Sequence, residues 1–406
     1  MSGLLDGVQV VELASWTYVP SAGAALADWG ATVIKIEDTR GGDPCRYLTI
    51  GGLDPADARV RASVMMEIGN HGKRSIGIDI KNSEGRRILG SLIARADVFL
   101  TNWLPAPLER AGLTVPQIRE FNPDVIIARG SGQGSRGPDK DRGGYDAASY
   151  LARAGVAHAL TVADQEFPVT QTPAFGDLQG GITLAGGITA ALFHRERTGH
   201  APIVDSSLLA QGMWAVAPDI AAADYYGIDR IPVGPAGTAP NPAVNRYRTR
   251  DGRWVQLVFL QADRFWPGFC HRIGRPDLAT DERFVPLANL VANQDAATAE
   301  LRRTFAERDL ADWQKALADE PGVWATIATP REVLDDAQAE ANGYLLTLTD
   351  ETGEQYRTVG APVQFDETPH PPTRAPEYGE HTEEILLELG MDWDQIIAAK
   401  EAGAVL

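Results

Sequence analysis

The chain has 406 residues, 44% of them hydrophobic and 23% charged, which is enough apolar material for more than one buried core. Lysine and arginine number 37 against 55 aspartates and glutamates, a formal charge of −18. That surplus excludes a general nucleic-acid binder, which needs a basic face, but leaves room for a phosphorylated cofactor held by a local cluster.

The predicted elements run as follows. Asp6-Gly7 leads into an apolar strand over residues 8–13. Residues 20–29 predict a helix, with Pro20 in its first turn and Gly30 after its last, and residues 31–37 a second strand. Together they form a β-α-β unit, the building block of a parallel sheet. A strand over 73–80, an amphipathic helix over 83–95 (Ile88, Leu89, Leu92 and Ile93 on one side), a strand over 96–101, a helix over 115–121 and a strand over 125–128 continue the alternation. The fold class is therefore α/β, with a large doubly wound, Rossmann-like domain over residues 1–217. The turn after the first strand, residues 14–20, has no G-x-G-x-x-G, so a dinucleotide with Glu37 as its ribose ligand is not expected. Gly130-Ser131-Gly132-Gln133-Gly134 lacks the Lys-Ser/Thr of a phosphate loop and reads as a flexible loop over a site.

The most unusual stretch is 170–191. One carboxylate, Asp177, follows Gly176 and opens a nearly uncharged segment containing Gly180, Gly181, Gly186 and Gly187. Gly176 reads as the residue with free backbone angles and Asp177 as a helix N-cap. Each internal glycine costs about 1 kcal/mol of helix propensity, so close approach of another group is expected. Two readings stay open on this segment alone: a capping Asp on a tightly packed helix, or a nucleophilic carboxylate at a helix N-terminus.

Beyond a strand and helix over 203–217, residues 218–245 read as a linker, including the isolated Gly234 and Gly237. Residues 246–330 form a smaller α+β domain that opens with a hairpin turning at Asp251-Gly252. Residues 331–406 return to complete the large domain, with strands over 344–348 and 357–359 and a final amphipathic helix holding Ile385, Leu386 and Leu389. No apolar run approaches the roughly 18 residues of a membrane span, and the first residues lack a secretory pattern. Cys45 and Cys270, far apart, read as free thiols in a reducing cytoplasm. No histidine or cysteine spacing suggests a metal site.

Taken in order, Leu5-Asp6-Gly7-Val8, Gly30 to Glu37, Asn70-His71-Gly72-Lys73-Arg74-Ser75-Ile76, Ala96-Asp97-Val98 with Asn102, Asn122-Pro123-Asp124-Val125-Ile126, Gly176-Asp177 and Gly360-Ala361-Pro362 resemble the class III CoA-transferase family, along nearly the whole chain. Formyl-CoA:oxalate and carnitine CoA-transferases and α-methylacyl-CoA racemases belong to that family. The resemblance implies an interlocked homodimer and coenzyme A handled as an acyl-CoA substrate, with a free carboxylic acid as second substrate. Neither nucleic acid nor membrane is implied as a partner. It makes Asp177 the nucleophile, forming an aspartyl mixed anhydride and then an aspartyl-CoA thioester. With a reference pKa of about 3.9, Asp177 is expected to be ionised at neutral pH without a base. It also implies Asn102, Arg110 and Lys81 as coenzyme A ligands, with Arg40 as a further cation, and Tyr145 and Asp146 facing the substrate. Gly144-Tyr145-Asp146 stands where the racemases carry Gly-His-Asp, which favours CoA transfer over racemisation; a CoA-binding protein without catalysis is the remaining alternative. A four-glycine lid like that of the oxalate enzyme is missing, so oxalate is not the expected substrate.

Overall fold

The computed structural model describes residues 3–51, 64–162, 165–232, 239–349 and 353–406; Gly234 and Gly237 lie outside them. Two compact units divide the chain. The larger comprises Met1–Leu160, Val169–Arg230 and Ala337–Leu406. Its sheet is built from β1 (Gln9–Leu13), β2 (Thr32–Glu37), β3 (Arg74–Gly77), β4 (Val98–Thr101), β5 (Ile126–Ser131) and β6 (Ile203–Ser207). They are parallel throughout and ordered β3-β2-β1-β4-β5-β6. The order reverses between β1 and β4, so the crossovers diverge and leave a crevice at the carboxyl ends of those strands.

Strand residues alternate between two cores, as period-2 geometry requires of a sheet covered on both faces. Val10, Val98 and Ile126 enter one core with Val19 and Leu26 of α1 (Tyr18–Asp28) and Leu184 and Ile188 of a later long helix. Val11, Phe99 and Ile127 enter the other with Ile88 and Leu92, which lie on the helix Ser83–Ile93. The carboxyl-terminal segment supplies Ile385, Leu386 and Ile396 to that second core. It holds two helices where one was expected, Thr382–Glu388 and Trp393–Glu401. Gly390 at φ 90° follows the first, and Asp392 with Gln395 forms a capping box that starts the second.

The stretch 218–245, read as a linker, begins inside a helix, Ala217–Tyr226, with a proline in its first turn and left-handed Gly227 at its end. None of that helix is buried. The smaller unit, Thr161–Pro168 with Ile231–Asp336, carries the antiparallel strands Arg246–Arg248, Trp254–Leu257 and Trp324–Thr326. Its own core is aromatic, with Tyr247 stacked on Phe305 and with Trp266, Phe269 and Trp313 fully buried.

Candidate functional site

The long helix, here α2, spans Phe175–Thr198 and begins differently from expectation. Ala174, not Gly176, takes the left-handed conformation (φ 58°) as N-cap, and Asp177 lies in the first turn rather than at the cap. Gly176 is required by packing: a Cβ there would sit 2.5 Å from Tyr150 Cγ. At Gly180 a Cβ would come within 2.6 Å of the Tyr18 ring, and at Gly181 it would collide with Ser21. These glycines let α2 close on α1, whereas Gly186 borders open space.

A cavity of about 430 Å³ occupies the crevice at the strand ends, bordered by Trp16, Tyr18, Asn102, Trp103, Tyr145 and Asp177. Gly130 and Ser131 also border it, but they end β5 rather than forming a flexible loop. A side chain at Gly130 would run into Val19 and the Tyr18 ring. Strand packing, not mobility, accounts for that glycine.

Asp177 is half-buried, and no described residue donates a hydrogen bond to its carboxylate. Burial, followed by the nearby charge of Asp146, pushes its pKa up from 3.8 to about 7. Burial and Asp146 thus work against the full ionisation expected at neutral pH. Asp146 is itself buried. Its Oδ1 accepts the Ala147 N–H at 2.6 Å, capping the π-helical turn Ala147–Arg153, and its Oδ2 has no hydrogen-bond partner among the described residues.

Tyr145 is 62% exposed and stands edge-on to Trp16, with ring centroids 5.6 Å apart. Asn102 borders the cavity, but its amide serves Ser15, accepting the N–H at 3.2 Å and donating to the carbonyl at 2.6 Å. It ties the turn after β4 to the turn after β1. The cations predicted for coenzyme A lie outside the cavity wall. Arg40 is exposed, and its guanidinium makes two hydrogen bonds to Asp38, of 3.0 and 2.9 Å. Lys81 is exposed, and its charge adds to the hydrogen bonds from Arg40 that hold the Asp38 carboxyl below its ordinary pKa. Arg110 ends the short helix Pro105–Arg110, also exposed. Glu37 is buried and engaged by Arg46, Ser75 and the Asp43 N–H, so it has no capacity for a ribose.

Trp16, Tyr18 and Trp103 escaped the sequence reading. The aromatic residues of the turn after the first strand are the sequence signal for this wall. Among the described residues, no group of three His, Cys, Asp or Glu side chains could hold a metal ion. No described helix is long and apolar enough to cross a membrane.

Residues 5–382 match the profile of CoA-transferase family III. The chain is 33% identical to the (R)-2-hydroxy-4-methylpentanoate CoA-transferase of Clostridioides difficile, over 99% of both chains. It is also 33% identical to the cinnamoyl-CoA:phenyllactate CoA-transferase of Clostridium sporogenes, covering 97% of this chain and 95% of that one. The crystal structure of a CAIB/BAIF family protein from Brucella suis superimposes with a TM-score of 0.81 and 29% identity, covering 96% of this chain and all of the other.

Proposed function

The chain belongs to CoA-transferase family III, and from that premise we propose that Asp177 carries CoA from an acyl-CoA to a free carboxylic acid. The supporting observation is the placement of Asp177: a carboxylate without a hydrogen-bond donor, in a crevice at the topological switch point. In its ionised form it attacks the thioester carbonyl, and CoA leaves as thiolate from a mixed anhydride. The thiolate attacks the aspartyl carbonyl, releasing the donor acid and forming aspartyl-CoA. An acceptor carboxylate then repeats both steps in reverse order, forming its own anhydride and taking the acyl-CoA away. Every step exchanges one leaving group for another, so Asp177 returns ionised. The raised pKa makes the ionised carboxylate more basic than that of an exposed aspartate. Holding the thiolate beside the anhydride raises its effective concentration to roughly 10⁵ M or more.

The aromatic residues and Leu208 on the cavity wall, with no Lys, Arg or His among its described residues, suit a monocarboxylic acid with an apolar side chain. The two relatives at 33% identity are named for such acids. Lys81 and Arg110, exposed at the rim of the sheet, are assigned to the coenzyme A phosphates; Arg40 joins them by leaving Asp38. The helix Ala217–Tyr226, which has no buried residue and ends in Tyr225 and Tyr226, together with Trp214 on the preceding helix, all three at least 70% exposed, supports a homodimer of interlocked chains. Cys45 and Cys270, both buried reduced thiols, suit a reducing cytoplasm.

Incubation in deuterated water with a panel of acyl-CoA donors and carboxylic acids tests the reaction class. New CoA thioesters without deuterium at the α-carbon are expected. Deuterium in the donor without new thioesters would make racemisation the reaction, despite Tyr145.

A further inference from the structure

Two buried charges hold the turn that carries Trp16. Lys35 and Asp43 are 0% and 1% exposed and lie 2.8 Å apart. Lys35 Nζ also contacts Glu12 at 3.2 Å and donates to the Ala14 carbonyl at 3.0 Å. Asp43 Oδ1 accepts the Trp16 N–H at 3.0 Å and the Cys45 N–H at 2.9 Å. One ion pair therefore grips the chain at Ala14 and again at Trp16, while Asn102 holds Ser15 between them. Trp16 has φ 70°, a left-handed conformation that is unfavourable for a bulky side chain and persists only where its surroundings impose it. A pair this deep adds little stability beyond what apolar side chains of the same size would give. What it does add is geometry: the indole is directed against Tyr145 on the border of the Asp177 cavity.

We infer that Lys35 and Asp43 are positioning residues, setting Trp16 against Tyr145 as a wall that keeps water from the acyl-aspartyl intermediate. The inference rests on the CoA-transfer reading. Water attacking the acyl carbon of the anhydride would release the acid, restore Asp177 and leave the thiolate to take up the proton, which is net hydrolysis of acyl-CoA. A displaced Trp16 therefore raises hydrolysis relative to transfer.

The test measures both products in one reaction of purified protein with an acyl-CoA and an acceptor acid. Their ratio does not depend on how much of the sample is folded. Asp43→Ala, and Asp43→Glu, which keeps the charge for Lys35 but moves the oxygen, are expected to raise hydrolysis over transfer by at least about threefold, the shift that loss of one hydrogen bond permits. Asp43→Asn, which keeps an acceptor for the Trp16 N–H, is expected to change the ratio less than either. Trp16→Ala raises it as well, and adding Asp43→Ala to Trp16→Ala raises it no further. Should Asp43→Ala not fold, Asp43→Glu gives the same reading with the buried charge balance intact. An unchanged ratio in the folded variants, with both rates falling in parallel, overturns the inference. Absence of transfer in the unmodified protein would instead overturn the CoA-transfer reading.

Discussion

Replacing Asp177 with asparagine should remove activity and add stability, by an amount that depends on pH. The folded-state pKa of about 7 lies above the ordinary 3.8, so the native state binds more protons than the unfolded chain between those values. Stability then falls as pH rises through that window. At 1.36 kcal/mol per unit, the wild type forfeits about 1.6 kcal/mol at pH 5 and about 4 kcal/mol at pH 8. Those are upper values, because Asp177 is not fully enclosed. Asp177→Asn carries no such term, so its advantage over the wild type should grow by about 2 to 3 kcal/mol from pH 5 to pH 8. Urea titrations of both proteins at the two pH values, followed by fluorescence and by circular dichroism, read this difference. Equal stability at pH 8, or an advantage that shrinks with rising pH, would refute the assignment of a carboxylate whose pKa is raised by burial and Asp146.

The same displacement predicts that kcat/KM for transfer rises with pH through about 7, and that Asp146→Asn moves the midpoint down, since one of the two causes of the shift disappears. A midpoint unmoved in a folded Asp146→Asn protein would contradict that coupling. Glu12→Gln should destabilise the chain by roughly 3 to 5 kcal/mol, because Glu12 meets Lys73 at 2.7 and 2.9 Å in the interior. Lys73 is fully buried, and its pKa is already lowered to about 8. In thermal melts, Gly176→Ala should cost about 1 to 3 kcal/mol by overpacking against Tyr150, while Gly186→Ala, which meets open space, should gain up to about 1 kcal/mol.

The parallel sheet was legible because its strands are buried on both faces. Pairs such as Val10 with Val11 and Val98 with Phe99 feed opposite cores, so each strand reads as an apolar run between helices. Asp177 was legible as the head of a glycine-rich helix. Its cap was not, because the residue that turns left-handed is Ala174, and the glycine beside Asp177 answers to Tyr150 from another segment. The ionisation of Asp177 was equally hidden, since burial and Asp146 set it. Trp16 shows the limit most clearly: its backbone conformation depends on Asp43, 27 residues away, and nothing in residues 14–20 announces that bond. Arg40 shows the opposite case: its exposed pairing with Asp38, two residues away, was within reach of the sequence and went unread.

The central claim is covalent passage through Asp177, and peptide mapping by mass spectrometry tests it most directly. The protein is incubated with an acyl-CoA in the absence of an acceptor acid, and hydroxylamine is added to a parallel sample. CoA on Asp177 in the first sample, and a hydroxamate at the same residue in the second, are the predicted results. Transfer that proceeds with Asp177 unmodified, or that survives in Asp177→Asn, would contradict the account.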